Sequence, residues 1–77
     1  MNDVKRSQLR EIITTIQSCA DRISLIKREE LSCMDTIVES VFTADRYLSM
    51  EEAVSYLEDA EEALEEAVVN MESAVSQ

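Results

Sequence analysis

The sequence predicts an all-α protein folded as one long antiparallel helical hairpin. Its 77 residues include no glycine and no proline, the residues that supply tight turns, left-handed caps and breaks in regular structure. Apolar residues recur at helical spacing from Leu9 to Val41, and an uninterrupted heptad repeat runs from Met50 to Gln77. With Phe42, Tyr47 and Tyr56 as its only aromatics, the chain is also poor in the residues that fill sandwich and barrel cores.

The first helix is expected over residues 3–42. Asp3 can accept from the free N–H groups of its first turn. Its stripe reads Leu9, Ile12, Ile13, Ile16, Cys19, Ala20, Ile23 and Ile26, then Cys33, Met34, Ile37, Val38 and Val41. Between these runs, Lys27-Arg28-Glu29-Glu30 interrupts the apolar line, so a kink or break is expected near 28–31. A turn is placed at 43–49, because Ser49-Met50-Glu51-Glu52 has the serine and the glutamate three residues on that make a capping box.

The second helix is then expected over 49–76. In its four heptads, MEEAVSY, LEDAEEA, LEEAVVN and MESAVSQ, the first position holds Met50, Leu57, Leu64 and Met71. The fourth holds Ala53, Ala60, Ala67 and Ala74, and the fifth Val54, Glu61, Val68 and Val75. Large residues at the first position with alanine at the fourth let a partner helix come close, and a stripe three positions wide suits a bundle.

At equal rise per residue, a second helix of about 27 residues reaches back along the first only to about residue 16. Val4, Leu9, Ile12 and Ile13 are left without an intrachain partner on this reading. A single domain over 1–77 is therefore expected to dimerise into a coiled-coil-like four-helix bundle. Its core and dimer seam would comprise Leu9, Ile12, Ile13, Ile16, Ile23 and Ile26 of the first helix with Leu57, Ala60, Leu64, Ala67 and Met71 of the second.

The sequence offers little for catalysis. There is no histidine, and no glycine-bearing loop that could form an oxyanion hole or cradle a phosphate. Carboxylates at helical spacing, such as Glu61 and Glu65, read as a solvated face rather than an acid and base. No catalytic residue, cofactor or metal site is assigned, since di-iron bundles use Glu-x-x-His pairs. Cys19 and Cys33, about 21 Å apart along one helix, read as small core residues. The start MNDVKRSQLREIITT lacks the apolar run of a signal peptide, and no stretch is apolar enough to span a membrane, so a cytoplasmic protein is expected.

Charge is more informative. Residues 1–28 hold six basic and three acidic side chains, a net of +3, whereas residues 29–77 hold fourteen acids against Arg46, a net of −13; together these make the −10 of the whole chain. Glu51, Glu52, Glu58, Asp59, Glu62, Glu65, Glu66 and Glu72 fall away from the first, fourth and fifth heptad positions. Solubility is ordinarily served by mixed signs, because like charges four apart on a helix repel. An unmixed acidic face is expected to steer the protein onto a basic surface of another protein. Direct nucleic-acid binding is disfavoured by the same field. The alternative is a structural or adaptor coiled coil whose role is oligomerisation, its acidity serving solubility.

The combination of Lys5-Arg6-x-x-Leu9, Arg28-Glu29-Glu30 and Met50-Glu51-x-Ala53-Val54-x-x-Leu57-Glu58-x-Ala60 resembles the small acidic helical-hairpin proteins of bacteriophages and prophages, anti-CRISPR inhibitors among them. The resemblance spans most of the chain and contains no motif whose residues transfer a role. It implies a phage-type inhibitor, working in the host cytoplasm, that occupies the nucleic-acid-binding groove of a host defence or nucleic-acid-processing complex through the acidic face.

Overall fold

A computed structural model describes residues 1–37 and 44–77. They form two helices, α1 (Asp3–Ile37) and α2 (Ala44–Val75), laid antiparallel in a rod of 59 × 14 × 11 Å. The expected end of the first helix, including Val38, Val41 and Phe42, lies outside the described residues. The all-helical hairpin is as the sequence predicts; several of its details are not.

The cap of α1 is Asn2, one residue before the expected Asp3. Its Oδ1 accepts from the Lys5 backbone N–H at 2.9 Å, the N-cap bond that satisfies one orphan donor of the first turn. Asp3 instead accepts from Arg6 Nη1 at 3.2 Å. Arg6 then reaches the far end of the other helix, donating from Nε to the Val75 carbonyl at 3.2 Å and from Nη2 to the Gln77 carbonyl at 2.7 Å. A guanidinium there satisfies carbonyls that have no intrahelical partner and complements the negative end of the helix dipole.

Helix α2 starts at Ala44, five residues before the expected boundary, and the Ser49–Glu52 capping signature lies inside it. Residues 44–48 contain no breaker, and Asp45 favours a first turn. Tyr47, half-buried three residues before half-buried Met50, adds another turn to the seam. The packing of Tyr47 and Met50 outweighs a local capping preference worth about 1 kcal/mol.

The longer α2 also covers more of α1. Ile13 is buried and Leu9 half-buried, so the expectation that both lacked an intrachain partner is corrected. Val4 and Ile12 remain exposed, at 66% and 46%.

Apart from half-buried Ser24 in α1 and the half-buried alanines of α2, the covered positions of α1 are 6, 9, 13, 16, 20, 23, 27, 30 and 34, and those of α2 are 47, 50, 54, 57, 61, 64, 68, 71 and 75. Both alternate steps of three and four without a slip, which is the seam of a coiled coil. In α2 this seam uses the first and fifth positions of the expected heptads. The fourth-position alanines flank it, with Ala60, Ala67 and Ala74 half-buried and Ala53 exposed. The same register corrects the reading of the cysteines. Ala20 and Met34 take the seam, and their neighbours Cys19 and Cys33 are exposed thiols.

No break occurs at 28–31, where α1 continues unbroken. The polar gap there is matched across the hairpin. Lys27 Nζ lies 2.7 Å from Glu61 Oε1, each side chain 23% exposed, and the Ser24 hydroxyl donates to Glu61 Oε2. Lys27 can line the seam with its methylene stem while its ammonium meets the carboxylate.

Candidate functional site

Residues seven apart share one side of a supercoiled helix, so the seam divides each remaining surface into columns. Three grooves show which columns adjoin. Gln17 and Ser24 line one with Glu65, and Arg10 lines another with Glu72. The column Glu51, Glu58, Glu65 and Glu72 therefore runs beside Arg10, Gln17 and Ser24 on one side of the hairpin. On the opposite side, Cys33 shares a concavity of about 710 Å³ with Arg46, seven residues before Ala53. There the alanine column of α2 runs beside Ile12, Cys19, Ile26 and Cys33.

The acidic side is continuous. Glu52, Asp59 and Glu66 form a second column next to the first, Glu62 lies on the same flank, and all eight of these carboxylates are exposed. Within each column carboxylates repeat about every 10 Å, and the first column extends about 31 Å by helix rise. The one remaining acid after Arg46, Glu61, belongs elsewhere: it faces α1 and is neutralised by Lys27. Sequence spacing alone groups Glu61 with Glu65, and the signal that separates them is the matching Lys27, a cation placed on the seam of α1.

The core and seam residues expected from the sequence divide accordingly. Ile13 is buried, while Leu9, Ile16, Ile23, Leu57, Ala60, Leu64, Ala67 and Met71 are half-buried against the opposite helix or at its margin. Ile12 and Ile26 are exposed, at 46% and 53%. Among the described residues, no three Cys, Asp or Glu side chains converge in a way that could hold a metal ion. No described helix is long and apolar enough to cross a membrane.

The hydrogen bonds and charge of Lys27, with a further hydrogen bond from Ser24, hold the Glu61 carboxyl below the usual carboxylate range. In return, the hydrogen bond to Glu61, helped by the nearby charge of Glu58, raises Lys27 above its usual range. A lowered carboxyl stabilises the fold above its unfolded pKa of about 4.3, and this contribution is lost as pH falls through the folded value. A raised ammonium stabilises below about 10.4, and its contribution is lost as pH rises through the folded value. The stability difference between wild type and Glu61→Gln is thus expected to be constant across neutral pH and to shrink at both extremes. Thermal melts of the two proteins across pH check it; a difference unchanged down to pH values well below the carboxylate range would refute the pairing.

No family model, curated protein or solved structure matches this chain.

Proposed function

We propose that this protein is a non-enzymatic binding module that lays the acidic side of α2 into a basic, nucleic-acid-binding groove of a host protein, acting as a phage-type inhibitor in the host cytoplasm. The observation that carries the reading is segregation. Eight exposed carboxylates share one flank of α2, while its alanine-bearing flank from Ala53 to Ala74 has no charge. Solubility alone is served as well by scattered charge, and scattering would avoid the repulsion between neighbouring carboxylates. A segregated face gives an oriented field that steers association with a basic surface. Its column repeat of about 10 Å spans about three phosphate steps of one B-form strand at 3.4 Å each. The helix can thus present negative charge along a groove shaped for a nucleic-acid backbone.

Competition tests the proposal. Immobilised chain is expected to retain nucleic-acid-binding proteins from a bacterial lysate at low salt. Raised salt should release them, because the Debye length shortens from about 30 Å at 0.01 M to about 3 Å at 1 M. Added duplex DNA should release the same proteins. Retained proteins that neither salt nor DNA displaces would overturn the mimic reading and favour the adaptor coiled coil.

A further inference from the structure

We infer that the alanine-bearing side of the hairpin is the docking surface for a second copy of this chain, so that two hairpins pack into a four-helix bundle. On α1 the surface consists of Ile12 and Ile26, 46% and 53% exposed, with the exposed thiols of Cys19 and Cys33 between and beyond them. Beside it on α2 run the alanines at 53, 60, 67 and 74, and outside those Tyr56, 74% exposed, with Ala63 and Asn70. The outer edge of α1 carries Arg22 and Glu29, one charge of each sign, and the two columns end in a cation each, Lys5 seven residues before Ile12 and Arg46 seven residues before Ala53. Other exposed apolar residues, such as Leu25, Leu48 and Val69, lie singly among polar neighbours and call for no partner.

Three observations select a second copy as the occupant. The first is area: the chain exposes 5811 Å², whereas a compact monomer of 8.7 kDa exposes about 4,700 Å² by the size scaling of folded monomers. The excess of about 1,100 Å² is comparable to the roughly 800 Å² that each partner buries in a standard interface. Charge is the second. In a molecule of net charge −10, two copies meeting through the acidic flank would oppose carboxylate to carboxylate, and the alanine flank offers contact without that repulsion. The third is the core itself: among the described residues only Ile13, Met34, Val54 and Val68 are buried. So small a core leaves a chain of this length needing a further source of stability. A column of isoleucine and cysteine beside a column of alanine supplies the ridge and the hollow that close helix packing requires.

The test is oligomeric state combined with thiol protection. At tens of micromolar the wild-type chain should sediment at twice its mass. The double variant Ala53→Glu, Ala63→Glu, changed only at exposed positions, should keep its helical circular dichroism and sediment at one chain mass. In the wild type, labelling of Cys19 and Cys33 by a thiol reagent should slow roughly tenfold at about a hundred times the dissociation constant, by mass action; the variant should label equally fast at every concentration. A wild type that sediments as a monomer, or thiols that label at a concentration-independent rate, would overturn the assignment without reference to the variant. A folded variant that remains dimeric would overturn it too. None of these outcomes depends on whether the acidic flank binds a partner.

Discussion

Val68→Asp is expected to abolish the helical fold, while Val69→Asp leaves it intact. Val68 is 9% exposed and packs toward α1, whereas its neighbour is 54% exposed. An aspartate at position 68 would bury a charge with no cation assigned to it, a defect that costs about 3–5 kcal/mol. A single core at this chain length supplies about the same amount, 3–5 kcal/mol. The loss is therefore comparable to the whole stability. At position 69 the same carboxylate stays in water, where surface substitutions change stability by about 0.5 kcal/mol or less. Circular dichroism at 222 nm with thermal melts separates the two outcomes. Equal melting temperatures for the two variants would mean that the seam does not run through Val54, Glu61, Val68 and Val75.

Reversing the outer acidic column should affect binding most and folding least. Glu52→Lys, Asp59→Lys and Glu66→Lys change only exposed positions, and three reversals bring the net charge from −10 to −4. Glu58 and Glu65 are better left alone. Glu58 lies close enough to favour the charged form of Lys27, and Glu65 lines a groove with Ser24 and Glu61. A lysine at position 66 would sit four residues after Glu62, the favourable order for a helical ion pair worth about 0.2–0.5 kcal/mol. The melting temperature should hold or rise while affinity for a groove-bearing partner falls by about two orders of magnitude or more. Most of that loss should lie in the association rate, as expected of steered encounters. Association kinetics of both proteins with a partner retained by the immobilised wild type, at low and high salt, measure it. A folded variant that associates as fast as wild type at low salt would show that the acidic flank is not the binding surface.

The features legible in the sequence are those that depend on local chemistry. Absence of glycine and proline excludes most alternatives to helix, and the heptads from Met50 specify a helix buried along one stripe. The segregated acids are equally plain, because a helix places residues seven apart on one side whatever it packs against. The Lys27–Glu61 pair was only half visible: each residue interrupts an apolar line, but their facing one another depends on the alignment of two helices distant in sequence.

What the sequence by itself determined is the helical class, the two-helix order and the unequal distribution of charge. The tertiary structure decided where α2 begins, how far it reaches along α1, and which columns meet. A stripe covering the first, fourth and fifth heptad positions contains two lines of alternating three- and four-residue steps, one through the alanines and one through Val54, Val68 and Val75. Periodicity cannot choose between them. Contact with α1 can, because valines bury more apolar surface than alanines and each buried CH₂ is worth about 0.8 kcal/mol. Choosing the valine line turns Glu61 toward Lys27, brings Tyr47 into the seam and lengthens α2 enough for its C-terminal carbonyls to meet Arg6. It also leaves Ile12, Cys19, Ile26 and Cys33 on the surface beside the alanines, a pairing of faces that exists only once the two helices are in register.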